Sequence, residues 1–73
     1  MERKYWTINF DEFSVCVNTN DLVMSEEVID LAIKHGVIDK WDVEETSHLV
    51  VEDITEDEEM MKSWLEKSVE IND

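Results

Sequence analysis

Between Tyr5 and Asn18 the side chains alternate in character twice, in YWTINF and again in FSVCVN, with only Asp11 and Glu12 between the two runs. A period of two belongs to an extended strand, whose successive side chains point to opposite faces. Trp6, Ile8 and Phe10 therefore share one face, with Tyr5, Thr7 and Asn9 on the other, while Phe13, Val15 and Val17 alternate with Ser14, Cys16 and Asn18. Two such runs so close together predict a β-hairpin. The Asp-Glu link lacks the Gly or Asn that a tight primed turn takes, so a longer or bulged loop is expected.

A sheet with one apolar face needs a cover. NTNDL reads as a turn cluster, after which Ser25 offers an N-cap and Glu26 and Glu27 place negative charge at the positive end of a helix. The helix runs through VIDLAIKHG, with Lys34 and His35 in its last turn and Gly36 where a left-handed C′ residue is wanted. From Trp41 to Ile54 the β-rich core HLVVEDI, preceded by acids alternating with Trp41 and Val43, reads as one long bent strand or a second hairpin. A helix through WDVEE is the competing reading. Thr55 and Glu58 have capping-box spacing, and Met60, Met61, Trp64, Leu65 and Ser68 recur on one helical face. These elements predict a single α+β domain over residues 1–73. Its expected form is a small two-layer sandwich in the order β-β-α-β(β)-α, a three- to four-stranded, mostly antiparallel sheet with two helices on one face.

Composition tests whether such a chain folds at all. Twenty acidic residues against six basic ones leave a net charge of −14 in 73 residues, well beyond the magnitude of about 2 to 8 usual for a small soluble domain. High net charge is one mark of disorder, but the other, low hydrophobicity, is missing: 42% of the residues are hydrophobic, three are Trp and none is Pro. A folded domain with a thin stability margin is expected. Cys16 is the only cysteine, which fits a reducing, cytoplasmic compartment. MERKYWTINF has no sustained apolar stretch of the kind a secretory leader carries. No apolar run exceeds three residues, so no membrane span is expected either.

Catalysis finds little support. With a single glycine there is no glycine-rich phosphate loop, and G-x-S-x-G, H-E-x-x-H and C-x-x-C are all missing. Cys16 with His35 and His48 has no zinc-site spacing, and the calcium-loop pattern is missing. The expectation is a non-enzymatic protein without cofactor or dedicated metal. The sign of the charge disfavours both anionic membrane surfaces and direct contact with nucleic acid.

What remains is the acidic surface itself. Residues 39 to 59 hold ten acids and one base, Lys40, a net charge of −9 over 21 residues. Carboxylates on one helix face start about 5 to 6 Å apart, a spacing comparable with phosphates that advance about 3.4 Å per charge along one DNA strand. A rigid array of this kind suits a basic channel built for nucleic acid. The expected contact residues are Asp39, Asp42, Glu44, Glu45, Glu52, Asp53, Glu56, Asp57 and Glu59, with Trp41 as an aromatic anchor at the edge.

The KYWTINF…FSVCVN hairpin, the following SEEVIDLAI and the acidic tail, at a net charge of −14, together resemble the small acidic proteins of phages and mobile elements. That resemblance implies an inhibitor of host defence, of the anti-restriction or anti-CRISPR kind, acting in the cytoplasm of a bacterial host. The partner it implies is a nuclease, a surveillance complex or a DNA-binding regulator whose nucleic-acid groove is filled by carboxylates. The rival expectation is an adaptor or homodimer that makes contact through a Trp- and Met-rich apolar face, its acids serving solubility.

Overall fold

The computed structural model of the chain describes residues 2–72. Strands β1 (Arg3–Asn9) and β2 (Ser14–Asn20) form the hairpin, followed by helices α1 (Ser25–Lys34) and α2 (Lys40–Glu45), strand β3 (Val50–Asp53), helix α3 (Glu58–Trp64) with a 3-10 turn over Leu65–Lys67, and strand β4 (Val69–Glu70). The sheet order is β3-β1-β2-β4. β1 pairs antiparallel with both β2 and β3, whereas β4 lies parallel to β2. The protein is thus α+β with a four-stranded, mixed but mostly antiparallel sheet, as the sequence pattern predicts.

Register fixes the core. Trp6 stands opposite Val17 and Ile8 opposite Val15, so the apolar sets of the two strands share a face. Trp6, Ile8, Phe10 and Val17 pack there with Val28 and Ala32 of α1 and with Val23, Ile38 and Ile71. The indole N–H of Trp6 donates to Thr19 Oγ1 at 2.9 Å inside this core. Among the described residues no buried side-chain polar atom lacks a partner.

Burial extends beyond the two layers expected. Thr7, Cys16 and Asn18 point away from the Trp6 face by strand alternation, yet their exposures are 0, 2 and 8%. Residues 54–68 connect the two outer strands of the sheet. This connection ends beside Cys16 and Asn18: Asn18 Nδ2 donates to Ser68 Oγ at 2.7 Å, and Trp64 borders the same hollow as Cys16. Burial also pushes the Cys16 thiol pKa up, against a smaller opposing effect of the Ser68 hydroxyl.

Helix ends account for most departures from the sequence reading. Gly36 has φ 75°, its N–H donates to Ile33 O at 3.1 Å, and Val37 N–H donates to Ala32 O at 2.9 Å, the paired bonds of a Schellman stop. That end is where the sequence predicts it. At the other end of α1 the N-cap is Met24 rather than Ser25, its N–H donating to Glu27 Oε2 at 3.3 Å. Lys40–Glu45 is helical, not extended. Asp39 N–H donates to Asp42 Oδ2 at 3.0 Å and Asp42 N–H to Asp39 O at 3.0 Å, so the acids themselves close the first turn. α3 is capped by Asp57, whose Oδ1 accepts from Met60 N–H at 3.1 Å, and not by Thr55. Thr55 Oγ1 instead accepts from Tyr5 N–H at 2.9 Å, which ties the end of β3 to β1. The helix stops at Trp64, so Ser68 lies beyond the helical face and leads into β4.

Candidate acidic interaction surface

The hairpin loop anchors one end of the site. Phe10 N–H donates to Phe13 O at 2.8 Å across Asp11 and Glu12, and no non-glycine residue among those described has positive φ, so the turn is not of the primed kind. Tertiary contacts hold it instead. Asp11 accepts from Ser47 N–H at 2.7 Å and from His48 N–H at 3.0 Å, while Asp11 N–H donates to Thr46 Oγ1 at 3.0 Å. The Ser47 amide is the largest cause that lowers the Asp11 carboxyl below its ordinary value, with the His48 amide and charge adding to it. The clamp joins the hairpin tip to the segment between α2 and β3.

Two of the expected contact residues gather at this clamp. Asp42 and Glu45 of α2 border a hollow of about 160 Å³ together with Asp11, Glu12, Phe10, Phe13 and Thr46. Phe13 stacks on Phe10 with ring centroids 4.5 Å apart. Asp11 and Glu12 are thus additional acids of the surface. Read as a turn, they gave no signal, because their partners lie 35 to 37 residues away.

From the clamp the remaining acids follow the β3 side of the sheet. Glu52 and Asp53 lie on the outer strand, opposite Thr7 and Trp6, and are exposed. Glu56 and Asp57 occupy the turn directly after it, and Glu59 stands in the first turn of α3. Asp39 and Glu44 are exposed on α2, and Trp41 is 71% exposed. Val43 turns into the core, so Trp41 and Glu45, two residues to either side, point away from it by the 100° helical step. Among the basic residues only Lys40 falls within 39–59.

These acids divide by side-chain length. Asp42 and Asp57 cap helices, and Asp53 Oδ1 accepts from Thr55 N–H at 3.0 Å and from the Thr55 hydroxyl at 2.6 Å. An aspartate is short enough to bond its own backbone a few residues on, which suits it to caps and turns. Among the described residues, no hydrogen bond or ion pair engages the carboxylates of Glu44, Glu45, Glu52, Glu56 or Glu59. No bond of the fold depends on them, although Glu59 places its charge favourably in the first turn of α3. No group of three His, Cys, Asp or Glu residues among those described is placed to hold a metal ion. No described helix is long and apolar enough to cross a membrane.

No family model, curated protein or solved structure matches this chain.

Proposed function

We propose that the protein is a non-enzymatic inhibitor that occupies a basic nucleic-acid-binding surface of another protein, its β3 side standing in for a polynucleotide. One observation carries the reading. Five glutamates, Glu44, Glu45, Glu52, Glu56 and Glu59, are exposed, have no hydrogen-bond or ion-pair partner for their carboxylates, and stand on three successive elements of a folded scaffold and the turn between the last two. The Cα radius of gyration is 11.5 Å, against about 11 Å for a folded chain of this length, so the charges are carried on a packed body and not on an extended tail. Charge of one sign on a folded backbone steers association with a basic groove, and that backbone has little conformational freedom left to lose on binding. Trp41 supplies an aromatic contact beside Glu45. The partner class is a nuclease, a surveillance complex or a DNA-binding regulator, and the resemblance to phage proteins puts the encounter in the bacterial cytoplasm.

The test is capture followed by challenge. Tagged protein incubated with bacterial lysate at low salt is expected to retain nucleic-acid-binding proteins, and added duplex DNA is expected to release them. A complex that resists both DNA and about 0.5 M salt, where the screening length is only a few ångström, would instead favour an adaptor or dimer using an apolar face.

A further inference from the structure

A second surface lies at the open end of the hairpin, away from the clamp. There the chain leaves β2 at Asn20, turns through Asp21 and Leu22, and enters α1. Between this turn and α1 runs a groove of about 480 Å³ lined by Asn20, Leu22, Val23, Glu27, Asp30 and Leu31. Leu22 is 83% exposed, and Met24 beside it 55%.

This exposure is held in place by hydrogen bonds. Leu22 N–H donates to Asn20 Oδ1 at 2.9 Å, Val23 N–H to Asn20 O at 3.3 Å, and Met24 N–H to Glu27 Oε2 at 3.3 Å. The turn therefore presents an aliphatic side chain to solvent on a fixed backbone. A lone exposed leucine calls for no explanation, but one that borders an apolar groove with acidic walls has the makings of a contact site.

We propose that this groove docks an amphipathic segment of a partner protein, one that carries an aliphatic anchor flanked by lysine or arginine. The apolar floor is Leu22, Val23 and Leu31. Glu27 and Asp30, three residues apart on α1, form one wall and select cationic flanks. Asp21 and Glu26 add negative charge on either side in sequence. The same carboxylates argue against a second copy as occupant: a twofold contact sets each patch against itself, and would gather the Glu27 and Asp30 charges of both copies in one interface. The proposal does not rest on the glutamates of the β3 side, which occupy another part of the sheet.

Two synthetic helical peptides of equal positive charge test it, one with Leu at i, i+3, i+4 and i+7 and Lys on the other face, the other with Ser in place of Leu. Each is titrated into the full chain by amide-resolved NMR. The Lys/Leu peptide is expected to bind at least about tenfold more tightly, with the largest shifts at Leu22, Met24, Glu27, Asp30 and Leu31. The double variant Leu22→Ser/Met24→Ser should lose that advantage, while Glu52→Gln/Glu56→Gln keeps it. Both residues of the first variant are exposed and Ser is the better N-cap at position 24, so its melting temperature should be no lower than the parent's, which excludes unfolding as the cause. Equal affinity for the two peptides, or shifts centred on residues 44–59, would overturn the proposal. So would sedimentation as a dimer that the Leu22→Ser/Met24→Ser variant dissolves, because the occupant would then be a second copy.

Discussion

The two outer strands of the sheet are finished in opposite ways. At β4, Arg3 donates from Nε to Asn18 Oδ1 at 3.0 Å and from Nη2 to Asn18 O and Ile71 O, each at 2.9 Å. Its Nη2 also stands 4.0 Å from Glu70 Oε1. Ile71, 1% exposed, plugs the end of the core. At β3 the aspartates bond the local backbone, but the glutamate carboxylates have no such tasks, and no arginine stands among them. In a chain with six basic residues, the one arginine closes a strand edge while the acids opposite are left uncompensated. Charge at β4 serves the fold, and the glutamate charge at β3 is free to serve contact with something else.

Substitutions at the two edges should therefore act on different observables. Ile71→Ala is expected to cost the most stability, about 2 to 5 kcal/mol for a buried aliphatic truncation, read from the denaturant midpoint. A cost under about 1 kcal/mol would mean that β4 is not part of the cooperative core. Arg3→Met keeps much of the aliphatic stem but takes the guanidinium donor from Ile71 O and Asn18 Oδ1, while Asn18 O keeps the Ile71 N–H, and should cost about 2 kcal/mol. Asp57→Ala, which removes the α3 cap on the β3 side, should cost about 1 kcal/mol. Smaller again is the contribution of the Asp11 charge, which is best followed against pH. Its folded-state pKa is lowered, so the stabilisation is fully present above the unfolded value, about 4, and disappears as pH falls through the folded value. Asp11→Asn should accordingly be less stable than the parent at neutral pH and converge on it in acid; a gap independent of pH would remove the charge from the clamp. At the bottom of the scale, Glu52→Gln/Glu56→Gln should shift stability by no more than about 0.5 kcal/mol. A large loss there would show that these glutamates belong to the fold after all.

Sequence reading reached different depths in the two regions. The hairpin and its core face were legible because alternation in YWTINF and FSVCVN reports directly on pairing, and the α1 stop because Gly36 is the only residue able to take positive φ without strain. WDVEE misled because Trp41 and Val43 alternate with acids like a strand, whereas Asp39 and Asp42 bond each other's backbone and start a helix. Thr55 was an equally good cap on local grounds, but β1 claims its hydroxyl from 50 residues away. The acidic surface was legible as composition. Its division into capping aspartates and unengaged glutamates was not, since that depends on which side chains reach a backbone amide. Asp11 and Glu12 joined the surface only through the clamp, a long-range contact without any local pattern.

The most direct test of the acidic-surface account uses the five unengaged glutamates together. With a captured nucleic-acid-binding protein and fluorescently labelled duplex DNA, displacement is measured by anisotropy for the parent and for Glu44→Gln/Glu45→Gln/Glu52→Gln/Glu56→Gln/Glu59→Gln, across a salt series. The account predicts that the parent displaces DNA with an affinity that falls as salt rises, and that the variant folds normally but is weaker by more than about tenfold with a shallower salt dependence. Equal displacement by the two proteins, with the same salt dependence, would contradict it.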